Sequence, residues 1–111
     1  MGPRLTRRLA LEERQVAADG GGGETVAWAH LGTLWADLRP ARGSESLIGG
    51  RSASRVTHRV VVRGAPEGSP RRPQATQRLR LGNRLFDILA VAEEDAAGAY
   101  LRLWVAEGPL T

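Results

Sequence analysis

Arg55-Val56-Thr57-His58-Arg59-Val60-Val61-Val62-Arg63 alternates apolar and polar side chains with a period of two. Val56, His58, Val60 and Val62 fall on one side, and Arg55, Thr57, Arg59, Val61 and Arg63 on the other. That period marks a strand with one buried face, and β-branched valine suits a pleated surface. Val61 is the only apolar residue on the second side, so that side is expected to be wet or contacted.

Upstream, Leu34, Ala36 and Leu38 share one face while Trp35, Asp37 and Arg39 share the other, and Val26 and Trp28 alternate before them. Residues 24–39 therefore read as a strand. Gly32 separates its two alternating runs, which places a bulge or bend within residues 30–33, and Pro40 ends the pairing. Residues 42–54 carry glycine and serine at both ends. Their short centre, Glu45, Ser46, Leu47 and Ile48, admits one helical turn or a mobile loop. Further upstream, Asp19 and the run Gly20 to Gly23 form a break suited to a hairpin tip. Before it, Leu5, Leu9, Leu11 and Val16 fit an amphipathic helix or a strand, and propensity alone favours helix.

Downstream, residues 64–77 hold three of the six prolines and read as a long exposed connection that cannot enter a sheet interior. Residues 78–81, a turn at Gly82-Asn83, and residues 85–93 form a hairpin. Residues 95–98 turn again. Residues 99–107 close the fold with Leu101, Leu103 and Val105 on one face against Tyr100, Arg102 and Trp104. About six strands in short-looped antiparallel order predict an all-β fold, a small antiparallel barrel with long loops at 42–54 and 64–77. At 111 residues it makes one domain, residues 1–111.

Composition narrows the chemistry. There is no cysteine, which excludes disulfides and thiolate metal sites. The longest apolar stretches fall far short of the roughly 20 residues of a membrane span, and the N-terminus lacks the apolar core of a signal peptide. The chain is expected to be soluble, with no membrane partner. Net charge is +4, and all sixteen basic residues other than histidine are arginine. Such a balance permits nucleic acid or an acidic protein surface as partner.

An enzyme is not expected. His30 and His58 lie in separate strands with no spacing that seeds a metal site, and both read as structural. Glu93, Glu94 and Asp95 are consecutive at a turn, where a hydrolase needs two carboxylates facing across a cleft. Gly20 to Gly23 lacks the lysine and hydroxyl residue of a phosphate loop. No cofactor is expected. A small nucleic-acid-binding barrel is the alternative class, since such barrels combine a basic groove with aromatic platforms. Against it, Trp28, Trp35, Phe86, Tyr100 and Trp104 all lie in apolar strand contexts, with no aromatic–basic alternation.

Taken in order, Leu5-x-x-Arg8-Leu9-x-Leu11, a glycine-containing turn, Trp28, and Leu34-Trp35-Ala36-Asp37-Leu38-x-Pro40 resemble the first half of the phage head–tail joining, or head-closure (stopper), family. The second half follows. It comprises Thr57-His58-Arg59-Val60 with Arg63, Arg78-Leu79, Gly82-x-Arg84-x-Phe86-Asp87-Ile88-x-x-Val91, and a Leu101-x-Leu103 strand near Glu107. The likeness covers almost the whole chain and rests on order and spacing together. Gene transfer agents, which are domesticated phage-like particles, carry relatives of this family, and an all-arginine composition suits such a host.

The resemblance implies that residues 5–16 form a strand. It implies a virion protein assembled in the bacterial cytoplasm as a ring of six or twelve copies at the neck. Its partners would be the portal-side adaptor, the tail terminator or tail tube, and double-stranded DNA passing without sequence specificity. In some members a loop closes the channel until the tail engages. The corresponding segment here is Arg42, Gly43, Ser44, Glu45, Ser46, Leu47, Ile48, Gly49, Gly50 and Arg51, whose glycines and serines allow rearrangement; an ordinary surface loop is the other reading. A closed ring needs two different patches on each subunit. Trp35, Asp37, Arg39, Arg55, Arg59, Arg63 and Trp104 are the candidates, with the two tryptophans as anchors. Many lumenal arginines would hold phosphates and slow DNA, so most are expected to face protein, with Arg42 and Arg51 as exceptions. Two departures from the family pattern stand out. Gly64 replaces an aromatic residue, and the 64–77 connection is longer and richer in proline.

Overall fold

The structure is a computed structural model that describes residues 2–41, 47–48, 51–52 and 55–108. Six strands close into an antiparallel barrel: β1 (Arg7–Ala18), β2 (Glu24–Pro40), β5 (His58–Arg63), β8 (Tyr100–Gly108), β7 (Arg84–Glu93) and β6 (Arg78–Leu81), in that spatial order. Closure is made by β6 against β1, where Ala10, Leu11 and Glu12 pair with Arg80, Leu79 and Arg78. Strand, not helix, is therefore the state of the N-terminal segment. Its helical propensity is overridden because Leu9 and Leu11 must reach one core with strand spacing.

That core holds Leu9, Leu11, Ala36, Val60, Val62, Leu79, Phe86, Ile88, Leu101, Leu103 and Val105. The inward set expected for residues 56–62 and 101–105 is the buried one, with Val60, Val62, Leu101, Leu103 and Val105 all nearly inaccessible. The bulge also falls where Gly32 predicted it. Leu11 pairs with Gly32 and Glu12 with His30, which leaves Leu31 as the extra residue of β2. At the β6–β7 turn the positive φ of 60° falls on Gly82, the first of two turn residues, where tight hairpins favour glycine.

Three expectations need correction. β5 begins at His58, leaving Arg55 and Val56 outside it. Within 42–54, the described residues Leu47–Ile48 (β3) and Arg51–Ser52 (β4) pair antiparallel, so the backbone at those four residues is extended rather than helical, and Glu45 and Ser46 lie outside the described residues. The 64–77 connection is not wholly exposed: Pro73 is fully buried and Gln77 is 5% exposed. A proline needs no amide partner, and the Gln77 side chain accepts from the Gln74 N–H at 3.0 Å while its Nε2 donates to Glu13 Oε1 at 3.5 Å, so both are buried without stranding a donor.

The molecule measures 53 × 28 × 27 Å along its principal axes. Its length is that of β2, whose 17 residues span about 56 Å at ~3.3 Å each. β6 meets β1 only at residues 10–12, and β5 meets β2 only at residues 36–40. Beyond those points β1 and β2 continue as a two-stranded arm.

Candidate assembly surfaces

Register gathers most of the residues singled out for contact onto the outer face of β2, β5 and β8. Asp37, Val61 and Arg102 lie in one row across the three strands, and Arg39, Arg59 and Trp104 in the next. Val61 is only 8% exposed, so the second side of β5 is contacted, not bare. Gly2, Pro3, Asp37, Arg59, Glu94 and Arg102 line a depression there of about 450 Å³. Asp37 accepts from Arg39 Nε at 3.0 Å and from the Arg4 N–H at 3.1 Å. Burial pushes its carboxyl up, but these two bonds and the charges of Arg39 and Arg59 outweigh it and hold it below its ordinary 3.8. Arg102 pairs with Glu94 at 2.8 Å. A face of alternating sign with fixed geometry can set the register of a partner.

The other named residues are distributed differently. Trp35 is 54% exposed, and the Arg8 guanidinium lies 5.8 Å from its ring centroid. Arg63 is exposed at the end of β5, where it and Trp35 line a groove of about 570 Å³ with Leu31. Trp104 is half-buried, and Arg55 is exposed away from the strands. Of the segment Arg42 to Arg51 only the β3 and β4 backbone is described; the rest, and all its side chains, lie outside the described residues.

Sequence reasoning missed the arm and its root. Both arm strands are clamped by β6. Arg78 Nε donates to Glu12 Oε1 at 2.7 Å and Arg80 Nε to Glu12 Oε2 at 3.1 Å. The Arg78 guanidinium sits 3.9 Å from the Trp28 ring centroid, stacking geometry that arginine suits. Burial raises the Glu12 carboxyl, yet the hydrogen bonds and charges of the two arginines prevail and hold it below 4.5. Beyond this clamp Val16 pairs with Val26 and stays 43% and 48% exposed, respectively. The tip is closed by Asp19, whose Oδ1 accepts from the N–H groups of Gly21 and Gly23 at 2.8 and 3.0 Å.

The two histidines lie in different surroundings. His58 is half-buried, edge-on to Phe86 at 5.3 Å, with Nδ1 2.9 Å from Thr57 Oγ1. Burial lowers its pKa, Glu107 raises it and Arg84 lowers it, for a net downward shift. His30 is exposed on the arm. In the acidic turn, Glu94 is spent on Arg102, and Asp95 accepts from the Tyr100 N–H. Among the described residues no three His, Asp or Glu side chains are placed to hold a metal ion.

The described residues make a small closed all-β barrel with a clamped arm and a charged outer face, a class of fold that structural proteins share with binding modules. The family comparison places it among the structural proteins. Residues 2–108 match the phage head completion protein family, and the chain belongs to that family. It is therefore a structural head-closure protein of a phage-like virion. Among solved structures it is similar to a chain in the virion of a native gene transfer agent particle. Identity there is 41%, coverage is 99% of this chain and 100% of that one, and the TM-score is 0.76. The protein SF1141 from Shigella flexneri 2a shares the fold at 22% identity and a TM-score of 0.69, over 95% and 94% of the two chains. No curated protein matched the chain.

Proposed function

We propose that the protein forms a homo-oligomeric ring of six or twelve copies at the neck of a gene-transfer-agent-like particle. It joins the portal-side adaptor to the tail terminator or tail tube and makes part of the DNA channel. The observation that carries this reading is the 41% identity, spanning both chains, to a chain of a gene transfer agent virion. The outer-face residues Asp37, Arg39, Arg59 and Trp104, together with Trp35 and Arg63, supply one of the two patches a head-to-tail ring needs. Arg55 extends the contact toward a neighbouring ring. Residues 42–54 act as the channel gate, with Arg42 and Arg51 gripping DNA, and most other arginines face protein.

Native mass spectrometry of the full chain, alone and with purified neck components, tests the reading. A discrete ring mass, or incorporation at the neck, is expected. A persistent monomer that ignores those components and binds single-stranded DNA with steep salt dependence would overturn it in favour of a nucleic-acid-binding barrel.

A further inference from the structure

The four exposed large hydrophobic residues among those described occupy two places: Val16 and Val26 on the arm, Leu31 and Trp35 at the groove beside β5. Each place is unfinished by itself. A two-stranded ribbon is at best marginally stable in water. Residues 32–35 of β2 pair with β1 on one side but, among the described residues, with no strand on the other. An open edge flanked by apolar side chains invites a further chain.

The two places are also complementary in charge. The arm, residues 13–29, carries Glu13 and Arg14 at its root and, toward its tip, only Asp19 and Glu24, both acidic. The groove is lined by Arg63 and Arg71 and by no carboxylate. The arm cannot serve its own groove, because Val26 and Leu31 are held about 17 Å apart along one strand at ~3.3 Å per residue. The acceptor must belong to another molecule.

We propose that the arm of one copy docks across the β2–β5 groove of a second copy. Val16 and Val26 cover Leu31 and Trp35, and the acidic tip meets Arg63 and Arg71. This contact is heterologous, so each subunit offers one arm and one groove, and successive copies propagate until the rotation closes. The inference rests on the ring reading and names the contact that would build the ring.

The chain has no cysteine of its own, so paired substitutions give a clean test. Val26→Cys and Thr33→Cys are placed together in the full chain, Thr33 being an exposed residue of the groove. Mild oxidation of assembled protein should give a covalent ladder up to the ring number. Chains carrying V26C alone and T33C alone should each stay uncrosslinked and, when mixed, give dimers containing one of each. Separately, Glu24→Arg should weaken assembly by at least roughly tenfold, and adding Arg63→Glu should recover it. Assembly at the native mass with neither ladder nor rescue overturns the arm-to-groove contact and leaves the ring standing. Failure to assemble at all, alone or with neck components, overturns both.

Discussion

The lower and upper halves of β1 and β2 are the same two strands in two different environments. In the barrel, Leu9 and Leu11 are at most 1% exposed and Ala36 is fully buried. In the arm, Val16 and Val26 keep nearly half their surface in water. Ladder hydrogen bonding is continuous through both halves apart from the bulge at Leu31. What changes is whether a third and fourth strand stand alongside. Hydrogen bonds set strand shape in both halves, while burial supplies stability to one alone.

The largest effect should come from Phe86, fully buried at the centre of the core. Phe86→Ala should cost about 3–5 kcal/mol, read as a lowered urea midpoint for the whole barrel; a barrel unmoved by it would mean the core is misplaced. Next comes the junction. Glu12→Gln leaves Arg78, whose side chain is 8% exposed, without its ion partner, and should cost about 1–3 kcal/mol at pH 7. Amide exchange should then quicken in the arm more than in β5 and β8. Because the Glu12 carboxyl is held below 4.5 in the fold, its contribution is full above 4.5 and disappears as pH falls through the folded value. The difference between wild type and E12Q should therefore narrow on acidification, and a constant gap would refute the ion pair. The smallest effect belongs to the arm. Val16→Thr with Val26→Thr should shift the urea midpoint by no more than about 0.5 kcal/mol, although it should impair assembly. A larger loss of monomer stability would mean that the arm is packed on its own barrel.

Most of the barrel was legible because each inward face alternates locally. Residues 56–62, 78–81 and 101–105 carry their own period-two evidence, and Gly82-Asn83 fixes the turn between β6 and β7. The arm was illegible for the same reason. Val16, Val26 and Trp28 alternate as core residues do, and only the end of pairing with β5 and β6 shows that Val16 and Val26 stay exposed while Trp28 is covered by an arginine rather than by the core. The clamp was hidden by distance, since Glu12 and Arg78 are 66 residues apart and meet through register across the closure. Pro73 and Gln77 were misjudged because a proline-rich stretch reads as exposed whether or not it is tucked inward. The outer face proposed for contact was more accessible: once the strands are placed, alternation alone puts Asp37, Arg39, Arg59 and Trp104 on one side.

Gly64 departs from the family pattern for a reason visible in the fold. A Cβ at that position would run into the carbonyl oxygen of Gly98 at the β7–β8 turn, and the Gly64 N–H donates to Ala99 O at 2.8 Å. The glycine where an aromatic residue was expected thus lets one turn lie against the end of β5.

β2 has a mechanical consequence as well. It runs as one strand, paired throughout except at the Leu31 bulge, from Glu24 at the arm tip to Pro40, beyond which the chain enters 42–54. It is a single beam, propped at mid-length by the Arg78 guanidinium of β6 on the Trp28 ring and anchored at one end in the barrel wall. A load applied at Val26 would therefore act along one covalent strand, past the Leu31 bulge, toward Pro40.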